Sequence, residues 1–186
     1  PAFVGLWFVA SLLDYLPMFD AVHAVDRAEI GIDVGYAIPA AAHGPMGLAA
    51  LSSATIGSSL HTIARYAPIR NRLFDYQVRT SDGRVALVMA PRLSFGGYGR
   101  FLHYATLFAI FNIFRAVLEE AALGEALLTF PWPVQGPDPQ LPPGCVWQQR
   151  YGAKQLTISF PVPSADVAFE GADPEEPRTR LLEKIE

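Results

Sequence analysis

The first pattern along the chain is a helical one. Apolar side chains recur mostly every three or four residues between residues 1 and about 29, the spacing of one helix face. They are Leu12, Leu13, Leu16, Phe19 and Val22. Pro17 should begin or break a helix, because its ring fixes φ and removes a backbone N–H. The next stretch, IGIDVGYAIP, alternates apolar positions from Ile30 to Val34 and predicts a strand or an extended segment.

Two short helices are predicted next. A Gly-Pro turn precedes the first, which runs from Met46 to Leu51. Ser53 or Thr55 can cap the second, because both side chains accept hydrogen bonds from the first N–H groups of a helix. Pro68 is expected to stop it. Its buried face should carry Ile56, Leu60, Ile63 and Ala64.

The clearest strand pattern lies between residues 74 and 90. Apolar and polar residues alternate along FDYQVR, as in a strand with one face in water. Asp82-Gly83 is a strong signal for a two-residue hairpin turn. The return strand, Val85 to Ala90, is apolar on both faces and should therefore be central, with cover on both sides.

A long aromatic helix is predicted from about Phe101 to Leu123. A surface helix needs a single apolar stripe, but this one has two. The first stripe is Phe101, Tyr104, Phe108 and Phe111, and the second is Leu102, Ala109, Ile113 and Val117. We expect the sheet to cover one stripe and a second copy of the chain, in a symmetric homodimer, to cover the other.

The last third of the chain predicts two more strands, ALLTFPWP and KQLTISFP, separated by a Pro-rich loop. The acidic end becomes helical at Pro177 or after. The order of helices, hairpin, long helix and strands predicts an α+β fold. Its mainly antiparallel sheet packs against the long apolar helix, with further helices around it.

Composition narrows the class of protein. A chain of 186 residues that is 51% hydrophobic suits one compact domain. A net charge of −4 argues against a nucleic-acid-binding surface. Cys145 is the single cysteine, which excludes an internal disulfide and fits a reducing cytoplasm.

Neither a membrane span nor a native chain start is expected. The uncharged run from Phe101 to Phe114 is shorter than the roughly 20 residues that a spanning helix needs. The apolar start lacks a basic leader, although it leaves a signal peptide open. Because the chain begins at Pro1 instead of Met, we expect that its first residues are not the native start.

Catalytic chemistry is hard to find. The motifs GxSxG, HExxH, GxGxxG and the phosphate-binding loop are all absent from the sequence. The four histidines are far apart along the chain, at His23, His43, His61 and His103. We therefore expect neither an enzyme nor a metal or cofactor site.

The aromatic helix is the best candidate for a ligand site. Tyr104, Phe108, Asn112, Arg115 and Glu119 are spaced by three or four residues and so share one face. Small-molecule sites combine such apolar walls with a few convergent polar groups. The alternative is that Arg115 and Glu119 form an exposed ion pair while the rings fill the core. The candidate ligand-binding residues are Tyr104, Phe108, Phe111, Asn112, Arg115 and His61.

Two stretches resemble the N-terminal sensor domain of AraC-family transcription regulators, the arabinose-binding-like branch. The first is AHGPMGLAALSSATIGSSLHTIARYAPIRN, with matches at His43, Gly44, Gly47, Ser52, Thr55, Leu60, Ala64 and Tyr66. The second is WQQRYGAKQLTISFPVPSADVAFEGADP, with matches at Tyr151, Gly152, Ala153, Leu156, Phe160, Pro161, Ala172, Asp173 and Pro174. Gln155 stands where the pattern often has Asn.

The resemblance implies an effector-sensing and dimerising domain of a bacterial regulator over residues 1–175. Residues 176–186 would begin a linker helix to a helix-turn-helix DNA-binding domain, absent here, through which alone the protein would contact DNA. Few polar side chains accompany the rings, so an apolar or amphipathic effector is expected instead of a sugar. The alternative is a ligand-free dimerisation or protein-interaction module whose aromatic side chains only fill the core.

Overall fold

The computed structural model describes residues 16–24, 27–133 and 146–166. The helices of this part of the chain are α1 (Leu16–Ala24), α2 (Ile30–Ala37), α3 (Pro45–Leu51), α4 (Ile56–Arg70), α5 (Gly99–Arg115), α6 (Glu120–Gly124) and α7 (Val162–Ala165). The strands are β1 (Phe74–Ser81), β2 (Arg84–Pro91), β3 (Leu127–Thr129), β4 (Gln148–Arg150) and β5 (Leu156–Pro161). Short 3-10 helices at Ala40–His43 and Gly96–Tyr98 precede α3 and α5.

The strands form one sheet in the order β1-β2-β5-β3-β4. All neighbours are antiparallel except β3 and β4, which run parallel. Asp82 and Gly83 join β1 to β2 with φ angles of 51° and 71°, the positive values that the predicted two-residue turn requires. The α+β fold with a mainly antiparallel sheet is therefore confirmed, and β2 is central, between β1 and β5.

One sheet face and the helices form a single buried core. Alternate residues of the strands point into it, among them Phe74, Leu87, Ile158 and Leu128. Helix α4 adds its predicted apolar face, and Ala64 of that face is only half-buried. The Thr55 side chain accepts from the Ser58 N–H at 3.1 Å, so the predicted cap is present.

Helix α5 is buried on both sides by its own chain. Tyr104, Phe108, Phe111 and Ile113 pack into the sheet core, while Phe101 and Leu102 pack beside Ile30 and Val34 of α2. The two helices meet at Gly31 and Gly35, where an added Cβ would collide with the α5 backbone. At Gly35 it would lie 2.7 Å from the Ala105 carbonyl oxygen and 2.8 Å from the Ala109 nitrogen. Two glycines at this spacing let helix backbones touch, which explains how so apolar a helix finds a second neighbour.

The prediction for residues 30–38 was wrong. Ile30 to Ala37 form helix α2 instead of a strand. Ile30, Ile32 and Val34 alternate, but Ile30 and Val34 also lie one helical turn apart and pack beside Phe101 and Leu102 of α5. A second copy was expected to cover the other stripe of α5, but Leu102, Ala109 and Ile113 of that stripe are already buried by the chain itself, the first two against α2 and Ile113 in the sheet core.

Helix ends also differ from the predicted ones. α5 ends at Arg115 instead of Leu123, because Glu119 is extended and α6 begins after it. α4 continues two residues past Pro68 to Arg70, so the proline lies inside its last turn. Helix α1 begins beside Pro17, one of the two outcomes expected there. Leu12, Leu13, the Pro-rich segment 134–145 and the acidic end from Pro177 lie outside the described residues.

The glycine contact predicts a sharp difference between two substitutions. Gly35→Ala should lower the free energy of unfolding by roughly 1–3 kcal/mol, because its Cβ overpacks the interface with α5. Gly99→Ala is the matched control: its Cβ would come no closer than 3.9 Å to Phe95, so the variant should be as stable or up to about 1 kcal/mol more stable. Urea unfolding followed by circular dichroism measures both; equal stability would contradict the close approach.

Candidate functional site

The buried face of α5 carries the predicted aromatic candidates. Tyr104, Phe108 and Phe111 are all 0% exposed. Tyr104 lies 5.2 Å from Phe130 between ring centroids, and Phe111 lies 4.7 Å from Trp147. The three predicted rings therefore face side chains from the end of the sheet that contains β3 and β4.

These rings belong to a larger group, which we call the aromatic cluster. Its members are Tyr36, Tyr104, Phe108, Phe111, Phe130, Trp132, Trp147 and Tyr151. Tyr36 of α2 closes one side, 5.9 Å from Trp147 and 5.6 Å from Phe108. Tyr151 stacks on Phe130 at 4.9 Å on the other side. The cluster thus joins α2, α5 and the β3–β4 end of the sheet.

The polar residues of the predicted site hold the end of α2. The Asn112 side-chain amide donates to the Ile38 carbonyl at 2.7 Å and the Tyr36 carbonyl at 3.3 Å. Arg115 donates to Asn112 Oδ1 at 2.8 Å, and its guanidinium carbon lies 4.2 Å from the centre of the Tyr36 ring. Asn112 therefore caps carbonyls at the helix end. Arg115 is exposed at the edge of the aromatic cluster and retains further N–H donors.

The structure separates two residues from this group. His61 lies on the exposed face of α4, away from the aromatic cluster. Glu119 follows the end of α5, so it does not continue the helix face that carries Arg115. Arg115 makes its contacts with Asn112 and Tyr36. The exposed Arg115–Glu119 helix pair, the alternative left open above, lacks the continuous helix it requires.

The sequence pattern predicted three of the eight residues of the aromatic cluster and missed the other five. Tyr36 lies in the segment that was predicted to be extended. Trp132 lies near the end of a predicted strand for which the buried face was not predicted. Trp147, Gln149 and Tyr151 alternate along WQQRY with the exposed Gln148 and Arg150. That alternation is the signal of a strand with one buried face, and it was available in the sequence.

Hydrogen bonds run along the sheet side of the aromatic cluster. The Trp132 indole N–H donates to the Tyr104 hydroxyl at 3.4 Å. The Tyr151 hydroxyl donates to Gln149 Oε1 at 2.8 Å. Gln149 pairs with Leu128 across the parallel β3–β4 ladder. Polar atoms are thus present among the rings, although few in number.

A buried histidine adjoins the aromatic cluster. The His103 ring makes edge contacts with Phe74, Phe95 and Trp132 at centroid distances of 5.2, 5.7 and 5.3 Å. Its Nδ1–H donates to the Gly99 carbonyl. Burial lowers the pKa of His103, because the charged ring would lose its hydration, and the bond to Gly99 opposes this only in part.

His43 is held in a similar way on the other side of α5. Its Nε2–H donates to the Ala109 carbonyl at 3.0 Å. Burial lowers the pKa of His43, with the nearby Arg70 charge acting in the same direction and the bond to Ala109 against it. His43 thus fastens the segment before α3 to α5.

The described part of the chain contains neither a metal-binding cluster nor a membrane-spanning helix. Within residues 16–24, 27–133 and 146–166, no three His, Cys, Asp or Glu side chains gather as a metal site would need. None of the helices in those ranges is long and apolar enough to cross a bilayer. Cys145 lies outside them, as does the His23 side chain.

Comparison with known proteins gives a family and a fold. The sequence model of the family described as "Arabinose-binding domain of AraC transcription regulator, N-term" matches residues 12–140. No curated protein matches the chain. The structure is similar to the crystal structure of the transcriptional regulator CdpR from Pseudomonas aeruginosa, with a TM-score of 0.66 and 15% sequence identity.

The structural match covers 91% of this chain and 56% of the CdpR chain, so the present chain spans little more than half of that regulator's length. At 15% identity the likeness shows the fold alone. The family match over residues 12–140 includes the whole first stretch that resembles the family, which begins AHGPMG. It ends before the second stretch, which begins WQQRYG.

The buried histidines predict an acid-sensitive stability. The folded pKa of His103 lies below its ordinary value of about 6.5. The unfolded chain therefore binds more protons as the pH falls below that value, and the free energy of unfolding decreases until the folded group also titrates.

His103→Phe should make this decrease between about pH 6.5 and 5 shallower, because Phe keeps the ring contacts and removes the titrating group. A residual slope is expected from His43, whose pKa is lowered in the same direction. His61→Gln, on the exposed face of α4, is the control. Urea unfolding at stepped pH measures the slopes; identical slopes for wild type and His103→Phe would refute the assignment.

Proposed function

We propose that this chain, which belongs to the family of N-terminal arabinose-binding domains of AraC transcription regulators, senses a small apolar or amphipathic molecule. The domains of this family are ligand-sensing regulatory domains and not enzymes. The observation that supports this choice of effector is the aromatic cluster. Eight rings from α2, α5 and the β3–β4 end of the sheet meet there, and ligand sites have such apolar walls with a few polar groups.

A sugar fits this position less well than an apolar effector. Sugar hydroxyls need many side chains that both donate and accept hydrogen bonds. Of the predicted polar residues, Asn112 already bonds the carbonyls of Tyr36 and Ile38. Arg115 remains exposed at the edge of the aromatic cluster, where it can meet the acidic head of an amphipathic molecule. Tyr104, Phe108 and Phe111 would contact its body, whereas His61 is too exposed on α4 to join them.

The effector would act through the end of α2. Tyr36 belongs both to α2 and to the aromatic cluster, and its ring and carbonyl are held by Arg115 and Asn112. A molecule bound against Tyr36 would favour one arrangement of this helix end over another. The shift can be no larger than the difference in its affinity for the two arrangements. Residues 176–186 would then carry the change, as the start of a linker helix, to a DNA-binding domain.

We further propose that the sensor covers residues 1–175, works in the cytoplasm beside the DNA, and acts as a homodimer. Because the chain itself buries Leu102, Ala109 and Ile113 of the second stripe, the proposed dimer would use another surface. DNA contact would belong to the DNA-binding domain, which agrees with the net charge of −4 of this chain.

A second candidate is a dimerisation or protein-interaction module without an effector. The observation that favours it is the complete burial of Tyr104, Phe108 and Phe111 by the chain itself. In that case the rings only stabilise the core. Native mass spectrometry of the purified domain separates the two candidates, because it reports the subunit count and any small molecule carried through purification.

Thermal unfolding tests the proposed effector class. Decanoate, 2-naphthoate and L-arabinose are titrated against the domain. One of the first two, at about 100 times its Kd, should add roughly 2.7 kcal/mol of stability. For a chain of this size that is a rise in Tm of about 5–10 °C. L-Arabinose should leave Tm unchanged, because the rings cannot satisfy its hydroxyl groups.

Tyr36→Ala should reduce the rise by more than half, since it removes one wall of the aromatic cluster and the ring beneath Arg115. Tyr66→Ala, at an exposed tyrosine of α4, is the matched control and should keep the full rise. Unchanged Tm with both acids, together with no carried molecule, would favour the interaction module.

A further inference from the structure

Two buried N–H donors of the aromatic cluster region lack an acceptor. They are the indole Nε1 of Trp147 and the amide Nε2 of Gln149. Among the described residues neither nitrogen has a hydrogen-bond partner. Buried polar groups in proteins are almost always paired, and leaving one unpaired costs stability. Two such donors within one short segment therefore require an explanation.

The strand places both donors on the same side of the sheet. Gln149 lies in β4, and Trp147 and Tyr151 directly flank this strand; the three alternate with the exposed Gln148 and Arg150, so their side chains lie on the more buried side. Trp147 is only 7% exposed, and its ring packs against Tyr36, Phe108 and Phe111. The indole N–H is thus buried among the rings proposed above to contact the effector.

The Gln149 amide is oriented by its neighbour. Its Oε1 accepts from the Tyr151 hydroxyl at 2.8 Å, and Tyr151 is itself held by stacking on Phe130. With Oε1 occupied in this way, the amide presents its N–H donors as the remaining hydrogen-bonding groups. Trp132, by contrast, has an acceptor, because its indole N–H donates to the Tyr104 hydroxyl. The unsatisfied groups are therefore of one kind, donors, and they lie on one segment.

Donors without acceptors select the chemistry of a ligand. A site built to hydrogen-bond one atom discriminates strongly against a molecule that lacks it, because the buried groups then stay unpaired. An oxygen with two lone pairs, such as that of a ketone, an amide or a carboxylate, can accept from two donors. Aromatic rings around the indole favour a flat apolar body behind that oxygen.

We propose that Trp147 Nε1 and Gln149 Nε2 bind a carbonyl or carboxylate oxygen of the effector, whose planar apolar body lies against the aromatic cluster. This inference rests on the proposed function, and it adds the chemical group that the effector must carry. It also gives β4 a role in ligand selection. The sequence pattern of this segment, WQQRY, supplies the indole, the amide and the tyrosine that orients the amide.

Matched probes test the acceptor directly. 2-Acetylnaphthalene and 2-ethylnaphthalene have nearly the same shape and differ by one acceptor oxygen, and 2-naphthoate supplies a carboxylate instead of a ketone. Isothermal titration calorimetry should show that at least one oxygen-bearing probe binds about five- to twenty-fold more tightly than 2-ethylnaphthalene. Comparing the ketone with 2-naphthoate then tells which oxygen chemistry the donors prefer.

Variants connect the preference to the two donors. Gln149→Met removes one donor and keeps a side chain of similar length, and Trp147→Phe removes the other donor and keeps an aromatic ring. In both variants the preference for the oxygen-bearing probe over 2-ethylnaphthalene should fall below about twofold. Gln148→Met is the matched control, because Gln148 is the exposed neighbour on the opposite side of β4, and it should keep the wild-type preference. If Trp147→Phe fails to fold, Gln149→Met alone decides.

A spectroscopic readout accompanies the titrations. The chain has three tryptophans, so nitrogen-15 NMR should show three indole N–H signals, and the signal absent from Trp147→Phe identifies Trp147. Binding of the oxygen-bearing probe should move this signal downfield and slow its hydrogen exchange, whereas 2-ethylnaphthalene should not.

The outcomes separate the two proposals. Equal binding of all three probes, unaffected by either variant, would overturn this inference, with water satisfying the donors, and leave the apolar effector site standing. No binding of any naphthalene probe, together with no rise in Tm with decanoate, would overturn both this inference and the proposed function.

Discussion

The close contact between α2 and α5 is the constraint on which the rest of the structure depends. An apolar helix with two stripes cannot leave either in water, and the sheet can cover only one. Because Gly31 and Gly35 of α2 have no side chains to hold the two helices apart, the backbone of α2 reaches that of α5. This contact sets how α2 lies along α5. It thereby brings Tyr36 against Phe108 and Trp147, and places the last carbonyls within reach of Asn112.

The residues of the first stretch that carries the family resemblance support this arrangement, and none of them belongs to the aromatic cluster. Gly44 has φ 62° and ψ −144°, a conformation open almost only to glycine. Gly47 lies against the Ala40 carbonyl, so a side chain there would displace the 3-10 helix before α3. His43 bonds the α5 backbone at Ala109, and Thr55 caps α4. The motif thus describes a scaffold. A scaffold can recur among regulators that sense different molecules, so it identifies the family without identifying the effector.

How far the sequence predicts the molecule depends on the range of the interactions involved. The hairpin at Asp82-Gly83 and the cap at Thr55 are set by neighbouring residues, and both were predicted correctly. The segment from Ile30 fits a strand and a helix equally well by its apolar positions. The contact of Gly31 and Gly35 with a helix some seventy residues away decides between them. For β4 the alternation along WQQRY is visible in the sequence, but its parallel pairing with β3, where Gln149 lies opposite Leu128, is a contact between distant segments that the pattern does not show.

In the candidate site, too, the sequence predicts what depends on neighbouring residues and misses what depends on contacts between distant segments. Helical spacing correctly grouped Tyr104, Phe108 and Phe111 on one buried face, and it grouped Asn112 and Arg115 beside them. It could not show that Asn112 is used up by backbone carbonyls, because those carbonyls come from a helix that the pattern had misread.

This reassignment changes what the site can sense. Asn112 and Arg115 both contact the end of α2, so in the proposed mechanism they would couple the aromatic cluster to that helix, and Arg115 would also be open to an acidic head. Under the further proposal, the donors of Trp147 and Gln149 would recognise an oxygen of the effector. Trp147 would then take part in recognition and Tyr36 in the response, and their stacked rings, 5.9 Å apart, are the contact that a bound molecule would have to alter.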